Sequence, residues 1–341
     1  MAKLTFRDKE KKRYKELKPK LFSPEAQRNG TYRGLPRDFC LDDQCSAENL
    51  YFGIRDEAIG YFRDRNIRWH DGKENGRQPS NHLCCSQSCC INFLFPLVQR
   101  PDLIKAIFAK YYPDVEAPLP IVEDKPLPDG THPFMAFEWI GTHDYLGEAI
   151  RKKMRRTRGA NFTSADFAFR FKENNGHIHL VLGEWKYTEA CGRTYKGSGR
   201  SGDVRRNNYI DFFKDSKGVF SNNSTKDSLY DSLFYEPFYQ LMRLQLLAQV
   251  MEASDGKEMG ADEVSVLHIC PKANNEFREN VAPDYLKGKF PGKDVLEVWK
   301  ELVPSDKFMS LSVEDLLKTM QGTGIEEREW LDYAMSRYGW D

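Results

Sequence analysis

The sequence has little that would let it enter a membrane. Its longest apolar runs, such as residues 91–98, fall far short of the roughly 20 residues that a span needs. The basic opening stretch is followed by no apolar leader core, so a cytoplasmic protein without a membrane segment is expected. An excess of charge of one sign is also missing, because 51 basic residues meet 51 acidic ones. That excludes a protein whose whole surface coats nucleic acid, but not an enzyme with one local basic patch. The sequence contains no Walker A loop, no G-x-G-x-x-G and no G-x-S-x-G, which leaves NTPase, dehydrogenase and α/β-hydrolase readings without support. Internal repeats and low-complexity tracts are lacking. Cysteines are present, with Cys84, Cys85, Cys89 and Cys90 clustered and Cys40 and Cys45 upstream, but no C-x₂-C pair exists. Free thiols that pack as small apolar side chains are expected, and Zn²⁺ is not.

Hydrophobic residues make up 40% of the chain and aromatics 13%, enough for a real core. Composition divides the chain into four parts. Residues 1–45 read as a basic arm broken by Pro19, Pro24, Pro36, Gly30 and Gly34, with a short helix at 7–17. Residues 46–133 read as a helical region packed on the core. Leu50, Ile54, Ala58 and Phe62 recur there at helical spacing, a helix starts at Pro101, and 113–133 is a proline-rich connector. Residues 134–275 form the core: a strand at 134–140, a helix at 144–154, strands at 167–171 and 178–188 around a turn at 173–176, a loop or insertion at 192–225, helix at 227–253 and a buried strand at 264–269. Pro237 either kinks the helix at 227–253 or starts a second one. Residues 276–341 form a helical tail with helices at 294–303 and 312–335. The expected fold class is α/β, a mixed central sheet flanked by helices with an N-terminal helical decoration.

The chemistry-bearing pattern is Asp166 followed by Glu184-Trp185-Lys186. Side chains alternate faces along a strand, so Glu184 and Lys186 point one way and Trp185 and Tyr187 the other. Asp166 opens the preceding strand, across the hairpin. An isolated E-x-K is usually a solvated charge pair. Here the apolar run Leu180-Val181-Leu182-Gly183 leads into Glu184, and charges at the end of a buried strand are unfavourable unless paired or metal-bound. Carboxylates that hold one or two Mg²⁺ ions, with a lysine beside an attacking water, are what phosphodiester hydrolysis uses. An upstream acid would complete the set; Glu148, on the helix before the hairpin, is the first choice and Glu138 the second.

These segments resemble the PD-(D/E)XK nuclease superfamily, and within it a bacterial restriction-endonuclease-like subgroup of Porphyromonas type. The resemblance rests on Gly159 to Asp166 and Glu184-Trp185-Lys186-Tyr187-Thr188-Glu189, with support from Asn81-His82-Leu83, Ser86-Gln87, Asn92 to Leu97 and Tyr145-Leu146-Gly147-Glu148. It covers roughly residues 46–275. It implies a restriction-endonuclease-like core in which Asp166, Glu184 and Lys186 are the signature residues and Glu148 the helix acid. It also implies an accessory role for Gln240, whose other reading is an exposed polar position. Ala165 stands where the motif's variable proline would be.

Two basic clusters lie near the pattern. Arg151, Lys152, Lys153, Arg155, Arg156 and Arg158 form one, and Lys196, Arg205 and Arg206 lie in the glycine-rich segment after Lys186. Phosphates attract such clusters; the alternatives are a solvated helix end and a plain loop. The expected activity is a Mg²⁺-dependent DNA endonuclease of restriction or defence type, with RNA as an open substrate and a homodimer as a candidate assembly. The alternative is a non-catalytic nucleic-acid-binding module that keeps the nuclease fold.

Overall fold

The computed structural model describes residues 4–149, 155–159, 162–190, 194–221, 226–324 and 326–340. Its centre is a six-stranded mixed sheet: β1 (Val115–Leu119), β2 (Met135–Trp139), β3 (Ala165–Glu173), β4 (Ile178–Trp185), β5 (Glu263–Ile269) and β6 (Phe308–Leu311). β3 and β4 form an antiparallel hairpin, and β5 and β6 join β4 in parallel. Along its other edge β3 pairs with β1 over its C-terminal half and with β2 over its N-terminal half, both antiparallel. The sheet is therefore mixed and flanked by helices, as its alternating and continuous apolar segments require.

One apolar cluster gathers Phe137, Phe167, Phe169, Val181, Trp185 and Ile269 with side chains of α1 (Phe6–Leu21), α2 (Arg55–Asp64), α3 (Ser86–Leu94) and α4 (Pro101–Phe108). Cys84, Cys89 and Cys90 belong to this cluster. A second gathers Ala168, Leu180, Leu182 and Val266 with α5 (Gly199–Lys214), α6 (Lys226–Ser232), α7 (Phe238–Ala253) and α8 (Val295–Leu302). Odd and even strand positions divide between the two clusters, which is the period-2 rule at work. The tail ends in α9 (Val313–Gly322) and α10 (Arg328–Tyr338), both in the first cluster. At Gly183 a Cβ would lie 2.1 Å from the Phe167 ring on the partner strand, so a side chain is excluded there.

Several elements differ from the sequence reading. The basic helix runs from Phe6 to Leu21 and buries Phe6 and Tyr14. The proline-rich connector contains β1, whose single proline, Pro118, is tolerated at the sheet edge. Residues 199–214 are helical because Tyr209 and Phe213 bury in the second cluster, which outweighs the glycines in the segment. Pro237 starts a separate helix, α7. The expected helix at 144–154 begins at Glu148, and its continuation lies outside the described residues. No helix among the described residues is long and apolar enough to cross a membrane.

Candidate active site

The hairpin register fixes the geometry. Phe167 pairs with Gly183, and one step further Asp166 faces Glu184. On the next strand Glu184 pairs with His268. On the outer side Phe137 pairs with Phe167 and Trp139 with Ala165, leaving Glu138 opposite Asp166. Glu138 has φ +50°, an uncommon conformation for a residue with a side chain. The bend is held from behind by Arg158. Its guanidinium donates to the carbonyl oxygens of Phe137 (3.0 Å) and Glu138 (3.3 Å) and pairs with buried Asp124 at 2.8 Å. Three adjacent strands thus contribute Glu138, Asp166 and Glu184 in one row.

Glu138, Glu184 and Lys186 are buried and Asp166 is half-buried. Lys186 Nζ pairs with Glu184 Oε1. The Trp185 backbone N–H donates to Asp166 Oδ2 at 2.7 Å. Gln87 Nε2 donates to Glu138 Oε1 at 2.6 Å, and Ser164 Oγ to Glu138 Oε2 at 3.2 Å. The Gln87 carbonyl in turn accepts from the His70 backbone N–H at 2.7 Å, fixing the amide's orientation.

Burial and then the Asp166 carboxylate push Glu184 up to about 8 and Glu138 up to about 7. Burial also raises Asp166, against the pull of the Lys186 ammonium. Lys186 is held in its charged form, well above the ordinary lysine range; its own burial opposes this, but Glu184 and Asp166 outweigh it. His268 is kept neutral, pushed down to about 3 by burial and then by Lys186 and Arg278. Glu184 and Asp166 thus share the Lys186 ammonium, and Glu138 lies on the other side of Asp166, so a further cation here would favour the ionised carboxylates. Hard oxygen donors with spare negative charge are the set a hydrated Mg²⁺ takes; soft zinc ligands are absent from the row.

Glu148, the first choice for the upstream acid, is engaged in a different group. Its carboxylate accepts from the Thr163 N–H (2.7 Å) and Tyr209 OH (2.6 Å) and lies 3.4 Å from Arg243 Nη2. The reason is local: the chain turns at Gly147, φ +63°, and sends Glu148 toward α5 and α7 rather than along β2. Glu138, the second choice, is the acid beside Asp166. Gln240 is half-buried on α7, and its backbone N–H bonds Pro237 O.

Among the basic residues, Arg156 donates to Gly141 O at 2.7 Å and Arg158 is spent on the β2 bend, so both guanidinia serve the main chain. Arg155 is exposed, and Arg151, Lys152 and Lys153 lie outside the described residues. Arg205 donates to Lys196 O at 2.9 Å, Lys196 faces Glu236 at 3.8 Å and Arg206 pairs with Asp231. Gln87, Ser164 and His268 were not singled out from the sequence. Gln87 and Ser164 fall in segments that carry the resemblance; His268 carries no local signal, since only strand pairing brings it beside Glu184.

Comparison with known proteins gives one result. The family model described as REase-ARP, Restriction Endonuclease associating with ARP, matches residues 6–339. No curated protein and no solved structure matches.

Proposed function

The chain belongs to the REase-ARP family of restriction endonucleases associating with ARP, and from that premise we propose that it is a metal-dependent DNA endonuclease of PD-(D/E)XK type. The observation that carries the reading is the row of Glu138, Asp166 and Glu184 with Lys186 paired to it. Glu138, Asp166 and Glu184 would hold one or two Mg²⁺ ions. Bound there, the metal supplies Lewis acidity at the phosphoryl group and a water of lowered pKa.

The protein's own part is positioning and charge. The Trp185 N–H holds one Asp166 oxygen in place. Gln87 and Ser164 orient the Glu138 carboxylate. Lys186 stays protonated beside Glu184, able to orient the attacking water and to stabilise negative charge that develops on the phosphate. Glu148 is assigned a supporting role, since its oxygens are engaged by Thr163, Tyr209 and Arg243. By the family's description, ARP is the proposed partner.

The test is cleavage of supercoiled plasmid and of single-stranded DNA with Mg²⁺ and with EDTA, by the wild type and by Asp166→Asn. Cutting that needs Mg²⁺ and is lost by at least ~10³-fold in the variant supports the reading. Tight DNA binding without any cutting, under Mg²⁺ or Mn²⁺, supports a non-catalytic binding module instead.

A further inference from the structure

A concavity lies just past the candidate centre, and most of the charges on its walls are basic. Its volume is about 370 Å³. The first turns of α1 contribute Arg7 and Lys11, a two-strand ribbon and the loop after it contribute Arg33 and Arg37, and Thr188 and Glu189 close it two and three residues beyond Lys186. His70, whose backbone N–H bonds Gln87 at 2.7 Å, stands on the rim between the two sites.

Three features separate this surface from an ordinary solvated patch. First, the arginines are not neutralised, whereas Lys11 pairs with Asp8 at 3.5 Å. Among the described residues Arg7, Arg33 and Arg37 make no ion pair, and Arg37 Nε is buried with no hydrogen-bond partner. Two carboxylates share the wall: Asp71 accepts from Tyr32 OH at 3.1 Å and Glu189 from the Tyr187 N–H at 2.7 Å, and among the described residues neither forms an ion pair with Arg7, Arg33 or Arg37.

Second, the surface is rigid. The ribbon pairs Thr31 with Pro36 and Tyr32 with Leu35 through a two-residue turn with positive φ at Arg33 and Gly34, the geometry that suits a tight hairpin. Its base is pinned by Lys73 Nζ on Thr31 O at 2.6 Å and by Asp43 Oδ1 on the Thr31 N–H at 2.8 Å. At Gly30 a Cβ would lie 1.8 Å from Leu41 O, so the ribbon seats directly on the backbone behind it. Third, two charged heads lie over rings: Arg33 Cζ is 5.3 Å from the Tyr32 ring centroid and Lys11 Nζ 5.0 Å from that of Phe39. Arg7 is oriented by its bond to Thr188 O at 2.9 Å. A set of fixed, unpaired guanidinia is what recognises phosphate.

We infer that this cavity grips backbone phosphates of the bound DNA, through Arg7, Lys11, Arg33 and Arg37. The inference rests on nucleic acid being the substrate, and it assigns DNA contact to the N-terminal segment rather than to Arg158 and Arg206, whose guanidinia are already ion-paired.

The experiment is fluorescence anisotropy of a labelled duplex, with Ca²⁺ in place of Mg²⁺, across a salt series. The proteins are the full-length wild type, Asp166→Asn and the double variant Arg33→Gln/Arg37→Gln. The double variant should weaken binding by roughly tenfold and flatten the log Kd against log salt slope by about 2, near 0.9 per phosphate released. Asp166→Asn should keep the wild-type slope. Should Arg37→Gln prove unstable, Arg33→Gln alone, at the exposed ribbon tip, should lower the slope by about 1. Wild-type Kd and slope in the variants would overturn the inference, even if the enzyme cuts DNA. Loss of slope in a protein that cuts nothing would leave the cavity assignment standing while the hydrolase reading fails.

Discussion

Glu138→Gln should stabilise the metal-free protein while removing its activity. In the fold, burial and the neighbouring Asp166 push Glu138 up from 4.5 to about 7. A carboxyl raised by folding is protonated in the native state when the unfolded chain has already lost its proton. Between pH 4.5 and 7 the native state therefore binds more protons, and stability falls as pH rises through that window. At ~1.4 kcal/mol per pKa unit the penalty at pH 8 is at most ~3.5 kcal/mol, and sharing protons with Asp166 and Glu184 brings it to roughly 1–2 kcal/mol. Glutamine is isosteric, accepts from Gln87 through the same oxygen and carries no charge to desolvate. In EDTA at pH 8 the variant should melt about 2–4 °C above the wild type, and the gap should close toward pH 4.5. Mg²⁺ should raise the wild-type melting temperature and leave the variant nearly unmoved. Calorimetric melts over a pH series check this. A variant that melts at or below the wild type at pH 8, or a gap that does not change with pH, would refute the claim that crowded carboxylates strain this site.

Other outcomes follow from the same structure. His82 is pushed down to about 4 by burial and then by Lys11 and Arg7, so it folds neutral; the unfolded chain binds more protons between pH 6.5 and 4, stability falls with acid by up to ~3 kcal/mol, and His82→Gln should flatten denaturation midpoints across that window. Gly183→Ala would drive a methyl into Phe167 and should cost ~2–4 kcal/mol in denaturant titrations, with Phe167→Leu recovering part of the loss. Arg158→Gln should lose ~3 kcal/mol by leaving buried Asp124 with one cation fewer, and cleavage should fall with it; unchanged melting with weakened DNA binding would instead make Arg158 a DNA contact.

Much of the strand core was legible because alternation and continuous apolar runs are local signals. The hairpin around Glu173 to Gly176 and the buried strand at 264–269 both stand where that pattern set them. Pairing Asp166 with Glu184 follows from a hairpin whose turn fixes the register. The acid from β2 was harder to choose, because whether Glu138 or Glu148 joins them depends on a bend that no periodicity encodes and that a distant arginine maintains. The helix at Gly199–Lys214 was hidden by its glycines and asparagines, since only tertiary burial of Tyr209 and Phe213 makes it worth forming. β1 and β6 were missed because edge strands of four or five residues carry too few alternations to read.

The most direct measurement is the anomalous signal of Mn²⁺ soaked into crystals of the protein. The account predicts manganese density bounded by carboxylate oxygens of Glu138, Asp166 and Glu184, with the Lys186 ammonium alongside. Manganese held at Glu148 instead, or a row that takes no ion at concentrations supporting cleavage, would contradict it.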